Sequence, residues 1–97
     1  MWEANGLAYV YMVRCRDGSY YSGYAADPVK RVKVHNSGHG AKYTRSRLPV
    51  ELVYWEELPD KSAALRREAA LKKMTHLEKA RLVRAFSESR TADPSGT

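Results

Sequence analysis

The amino-acid sequence predicts an α+β domain in the order β-β-α-β-α-α, with a small three-stranded, mainly antiparallel sheet flanked by helices. Three observations point there. Short runs of β-branched and aromatic residues end in turn signals, the pairs Asp27-Pro28 and Pro59-Asp60 mark helix starts, and beyond Pro59 the chain becomes rich in Ala, Leu, Lys and Arg. A chain of 97 residues with 43% hydrophobic side chains is one domain with a modest core, too apolar to stay unfolded. The domain is expected over residues 1–86, with a disordered polar tail at 87–97.

Residues 8–15, Ala-Tyr-Val-Tyr-Met-Val-Arg-Cys, read as the first strand, and Asp17-Gly18 is a hairpin turn signal before a second strand at 19–24. Asp27 is a good N-cap with Pro28 at the first helical position, and Val29 and Val32 would share an apolar stripe. That helix should stop near Asn36-Ser37-Gly38, leaving a Gly-rich basic loop over 37–49 and a third strand at 50–57. Asp60 can cap a helix running to about Met74, with Ala63, Ala64, Leu65, Ala69, Ala70 and Leu71 on a wide apolar side. Thr75 and Glu78 have the spacing of a capping box, so a last helix is expected from 76 to about Phe86.

Charge and cysteine usage bound the function. Seventeen Lys and Arg against eleven Asp and Glu leave a net charge of +6, a balance that suits a polyanion. Residues 28–47 concentrate Lys30, Arg31, Lys33, Lys42, Arg45 and Arg47 without one acidic side chain; a solvated face and a binding surface explain this equally well. Cys15 stands alone, which excludes an internal disulfide and a multi-thiolate zinc site, and His35, His39 and His76 are too scattered for a histidine cage. No apolar run has the length of a membrane span, and the start Met-Trp-Glu-Ala-Asn lacks the regions of a signal peptide, so a soluble cytoplasmic chain is expected.

Four features could form a site if the fold brings them together. Tyr11 and Tyr21 lie on paired strands, where hairpin register could put both hydroxyls on one side. Arg31 and His35 are four apart and share a helix face, and Glu68 lies at or beside the apolar stripe of its helix. Phosphodiester cleavage needs a hard divalent cation on oxygen, an arginine fork for phosphate charge and a base for water, all of which this set could supply. Ordinary readings stand beside these. The tyrosines could be plain sheet residues, His35 could meet exposed helix carbonyls, and Glu68 could pair with Lys72 on a helix surface. Gly23 could be a bulge glycine, and Cys15 a small buried hydrophobe.

Tyr9-Val10-Tyr11, then Tyr21-Ser22-Gly23, Asp27-Pro28-Val29-Lys30-Arg31-Val32 with His35-Asn36, Gly40-Ala41-Lys42-Tyr43-Thr44-Arg45 and Ala63-Ala64-Leu65-Arg66-Arg67-Glu68 together resemble the GIY-YIG nuclease domain. The likeness is particularly close to the small stand-alone bacterial (YhbQ-like) group and spans roughly residues 8–83. It implies a β-β-α-β-α core and hydrolysis of phosphodiester bonds with Mg²⁺ or Mn²⁺. The implied substrate is DNA, structured or branched, and the implied setting DNA repair. By position, Tyr11 matches the tyrosine ending the first motif, Tyr21 the one opening the second, Arg31 the essential helix arginine and Glu68 the metal-binding glutamate. Tyr21 then becomes the preferred general base, with Tyr11 assisting or positioning water. His35 matches a helix histidine found in part of the family, and Gly23 the closing glycine, where a side chain could crowd the site. Lys42, Tyr43 and Arg45 would contact the nucleic-acid backbone, Tyr43 stacking on an unpaired base.

The chain departs from the family pattern in three places. Tyr9 replaces the glycine of the first motif, the second reads Tyr-Ser-Gly, and no late asparagine follows Glu68 as a further metal-site support. With no appended DNA-binding domain expected, targeting falls to the basic loop, a partner protein or the structure of the DNA. Two rival readings follow from the residues. One is a nucleic-acid-binding module with a relic site, and the other a protein-interaction domain using the Ala-rich helix.

Overall fold

A computed structural model describes residues 8–91. Strands β1 (Ala8–Arg14) and β2 (Tyr20–Ala25) form the predicted hairpin, and β3 (Glu51–Leu58) pairs with the other side of β1. Both pairings are antiparallel, in the order β2-β1-β3. At the hairpin tip Gly18 takes φ +86°, and the Asp17 carboxylate accepts from the Ser19 amide at 3.0 Å. This is the local chemistry that lets an Asp-Gly turn reverse the chain.

Central β1 is buried from Ala8 to Val13, as a nearly continuous apolar strand covered on both faces must be. On one face Val10, Met12 and Tyr54 pack with Ala64 and Leu71 of helix α3 (Lys61–Lys72) and Val83 of α4 (His76–Thr91). On the other, Tyr11, Val13, Cys15 and Val50 pack with Val32 of α1 (Pro28–Val34). Cys15 is the small buried hydrophobe expected, its thiol pKa pushed up by burial.

The helix starts obey their caps. The side chains of Asp27 and Asp60 accept from the amides of Lys30 and Ala63 at 3.0 and 2.8 Å. Thr75 and Glu78 exchange both bonds of the capping box, at 2.9 and 3.1 Å.

Four expectations are corrected. The stretch 37–49 is not all loop: α1 runs on into a π-helical turn at His35–His39, broken at Gly38 (φ +86°), and Lys42–Arg45 form a short helix α2. Val29 is 41% exposed, so α1 buries Pro28 and packs Val32 rather than presenting a Val29–Val32 stripe. On α3 only Ala64 and Leu71 are buried; Leu65, Ala69 and Ala70 face outward, because alanines tolerate either side and the sheet covers only a narrow seam. Helix α4 continues to Thr91, so residues 87–91 are helical, and the rest of the expected tail, 92–97, lies outside the described residues.

Between α1 and β3, Asn36 bonds both backbone groups of Val50. Its amide nitrogen donates to the Val50 carbonyl at 3.0 Å, and its oxygen accepts from the Val50 amide at 2.7 Å.

Candidate active site at the β1–β2 hairpin

Register decides which side chains share a face. Tyr11 stands opposite Gly23, and Val13 opposite Tyr21, so both candidate tyrosines project from the same side of the hairpin. Ser22, the odd residue of the second motif, stands opposite Met12 and faces the other way, which leaves the tyrosine side unchanged. Gly23 is required here for space, not for a turn. A Cβ at this position would lie 2.7 Å from the Tyr11 Oη and 2.9 Å from its Cζ.

Helix α1 and the π-helical turn that continues it carry Arg31 and His35 to this face. The His35 ring is fully buried, edge-on to Tyr21 at 5.4 Å between ring centres, with Nε2 2.9 Å from the Tyr11 hydroxyl and Nδ1 3.0 Å from Thr44 Oγ1. The ring therefore does not cap helix carbonyls. Burial raises the Tyr11 pKa to about 12, with the Tyr21 phenol adding to the shift and Glu68 also raising it, against the Arg31 guanidinium beside it. Tyr11 is thus an un-ionised phenol at neutral pH, suited to orienting a ligand rather than taking its proton. The Arg31 guanidinium thus faces the Tyr11 hydroxyl, and the charge of Glu68 is felt there from farther off.

Burial, and then the charge of Arg31, hold the His35 pKa below its ordinary value. The unfolded chain takes up this proton at about pH 6.5, and the folded chain only at lower pH. Stability from this residue is therefore complete above about pH 6.5 and declines as pH falls from there toward the folded value. Urea midpoints measured across that interval should drop for the wild type and drop less for His35→Gln; parallel curves would reject the assignment.

Glu68 comes from α3, one turn beyond Ala64 on its buried seam. Its side chain is only 15% exposed, and its Oε2 lies 3.2 Å from the Lys72 ammonium. The helix-surface ion pair weighed from the sequence does form, but its carboxylate is largely buried and its lysine is next to the site. Lys72 Nζ also lies 5.8 Å from the centre of the Tyr21 ring. Glu68 and Tyr21 are thus on the same side of the molecule, sharing one lysine.

A metal ion here would find a sparse donor set. Among the described residues no group of three or more His, Cys, Asp or Glu side chains comes together. One shielded carboxylate beside phenol hydroxyls fits a hard cation that keeps waters and takes its remaining ligands from phosphate, and does not fit zinc or another softer metal.

The basic segment flanks this face. Lys42 and Arg45 are exposed on α2, while Tyr43 is 39% exposed and already engaged: it stacks on Tyr21 at 6.0 Å and carries the Arg47 guanidinium 3.9 Å from its ring centre. An unpaired base could stack on Tyr43 only by sharing or displacing these neighbours. Arg47 itself is tied to Asp17 at 3.0 Å and to the Tyr43 carbonyl at 2.7 Å.

The fold thus gathers Tyr11, Tyr21, Arg31, His35 and Glu68, and leaves Lys42 and Arg45 at the rim. Sequence reasoning missed Thr44, Lys72 and Gly40. Gly40 closes the π-helical turn where a Cβ would run into the His35 ring. Its place just before Ala41-Lys42-Tyr43-Thr44, and the four-residue step from Glu68 to Lys72, were the available signals.

Comparison with known proteins identifies the family and the fold. Residues 7–80 match the model of the GIY-YIG catalytic domain. The UPF0213 protein of Staphylococcus saprophyticus is 51% identical over 75 residues, which are 77% of this chain and 92% of that one. The UPF0213 protein of Streptococcus sanguinis is 54% identical over 72 residues, 74% of this chain and 83% of its own. Two solution structures share the fold. The UPF0213 protein of Bacillus halodurans has a TM-score of 0.51 at 42% identity, covering 92% of this chain and 89% of that one. A protein of Enterococcus faecalis (E. faecalis) has 0.57 at 40%, covering 88% and 91%. With its catalytic-domain match spanning most of the chain and relatives at about half identity among small bacterial proteins, this chain belongs to the GIY-YIG nuclease family.

Proposed function

We propose that the protein is a divalent-metal-dependent endonuclease that hydrolyses phosphodiester bonds in DNA, with structured or branched DNA as substrate. Its chief support is that residues far apart in sequence come to one side of the hairpin: Tyr11 and Tyr21 share a face, Arg31 faces the Tyr11 hydroxyl, and Lys72 lies between the Glu68 carboxylate and the Tyr21 ring. Glu68 would hold Mg²⁺ or Mn²⁺, which supplies charge neutralisation at the phosphate and acidifies bound water. Arg31 binds a non-bridging oxygen of the scissile phosphate and offsets the charge that grows there. Tyr11 accepts a hydrogen bond from the attacking water and orients it. Tyr21, entering the step as a phenolate beside the Lys72 ammonium, takes a proton from that water as the water oxygen bonds to phosphorus and the bond to the leaving oxygen breaks, the leaving oxygen taking its proton from solvent water. Lys42 and Arg45 hold neighbouring phosphates. No helix among the described residues is long and apolar enough to cross a membrane.

The rival reading, a DNA-binding module with a relic site, draws on one observation: Lys72 already neutralises the Glu68 carboxylate. Incubating the protein with branched, single-stranded and duplex DNA, with Mg²⁺, Mn²⁺ or EDTA, separates the two. Cleavage in either metal, abolished by EDTA and fastest on branched substrates, is the expected result. Salt-dependent binding with no cleavage of any substrate would establish the relic instead.

A further inference from the structure

Outside the groups used so far, the most fully built polar arrangement is the contact behind the His35 ring. Both partners are completely buried, so each polar atom must find a mate inside the protein. Thr44 Oγ1 is 2.9 Å from the Ala41 carbonyl, 3.0 Å from His35 Nδ1, and carries a single proton. If that proton goes to the Ala41 carbonyl, which can only accept, Thr44 must accept from His35, and Nδ1 bears hydrogen. Nε2 is then a bare lone pair 2.9 Å from the Tyr11 oxygen, and Tyr11 is the donor.

The opposite tautomer can be counted against this one. It would put hydrogen on Nε2 and leave Nδ1 to accept from Thr44 and from the Ala41 amide, which lies 3.4 Å away. That choice exchanges one bond of 2.9 Å for one at the outer limit of hydrogen bonding. It would also have His35 donate to the Tyr11 oxygen, turning the Tyr11 proton out of its bond with the ring.

We propose that Thr44 is a positioning residue that fixes the proton of His35 on Nδ1, so that Tyr11 donates inward to Nε2 and presents its oxygen to the site as an acceptor only. The catalytic part of this rests on the hydrolytic reading above. It assigns different work to the two tyrosines: Tyr11, its proton committed to His35, can receive a hydrogen bond from water but give none, which leaves proton uptake to Tyr21. Gly40 belongs to the same device, since any side chain there would displace the His35 ring from Thr44.

Nitrogen-15 NMR of the imidazole side chains, on the full chain at about pH 8, reads the tautomer without reference to cleavage. His35 is expected to show a protonated Nδ1 and an unprotonated Nε2. Thr44→Val, which keeps the shape and loses the hydroxyl, should shift His35 toward the other tautomer and lower kcat by about tenfold to a hundredfold with little change in KM. Thr44→Ser should restore both. Protonated Nε2 in the wild type overturns the proposal whether or not the variants fold. A loss of kcat in Thr44→Val with the tautomer unchanged also overturns it. A protein that cuts no DNA yet has His35 protonated on Nδ1 and loses that tautomer in Thr44→Val would keep the positioning assignment and remove the nuclease reading alone.

Discussion

Glu68→Gln and Arg31→Ala should each reduce cleavage by at least about a hundredfold, the scale seen when one preorganised charge or donor is withdrawn from a transition state. The two losses should differ in kind. Gln keeps the size of Glu68 and removes its charge, so Mn²⁺ binding measured by titration calorimetry should weaken together with the rate. Arg31→Ala leaves the carboxylate in place, so the metal should still bind while the rate collapses. Glu68→Gln should cost little stability. The Lys72–Glu68 contact has a half-exposed lysine, and such pairs contribute about 0–1 kcal/mol. Wild-type cleavage rates in both variants would remove these residues from the chemistry.

Gly23→Ala is the second large effect expected, and it operates through space alone. The new methyl would sit within 2.9 Å of the Tyr11 ring carbon Cζ, closer than real side chains approach. Tyr11 cannot swing aside, because it is 1% exposed and its hydroxyl is held by His35. Either the strand pair opens or the ring moves and the Tyr11–His35 bond breaks. Overpacking of this sort costs about 1–3 kcal/mol. The urea midpoint should fall accordingly, and residual cleavage should be small even at temperatures where the variant remains folded. A folded, fully active Gly23→Ala would mean that the position of Tyr11 is not critical.

Much of this was legible in the sequence because local chemistry and tertiary demand coincide. Asp17-Gly18 fixes the hairpin register, and that register alone predicts that Tyr11 and Tyr21 share a face. Asp27, Asp60 and the Thr75–Glu78 box each name a helix start. Helical spacing from Ala64 to Leu71 puts Glu68 on the buried seam. Other features were not legible. Helix α2 hides in a polar, Gly-flanked run with no side-chain cap. Thr44 has no meaning until His35 is known to be buried against it. The far end of α4 carries no stop signal: Ser87-Glu88-Ser89-Arg90 looks like a tail, yet Glu88 reaches back to Arg84 at 3.4 Å and the helix continues. Whether Tyr43 is free to stack depends on Tyr21, which is remote from it in sequence, and on Arg47, whose guanidinium only the fold lays over its ring.

The twofold bond between Asn36 and Val50 closes a ring in the chain. Everything from the π-helical turn to the start of β3 is an excursion whose two ends are clasped together, and the exposed cations of α2 ride on it. A polyanion therefore meets charges whose spacing was settled when the protein folded, and little freedom is left to lose on docking. Its outward side chains, Lys42 and Arg45, can change in charge without disturbing the hairpin beneath, whereas Gly40, Thr44 and Arg47 of the same segment touch the site or the hairpin turn and cannot. Divergence in what the protein grips can thus proceed separately from the chemistry it performs.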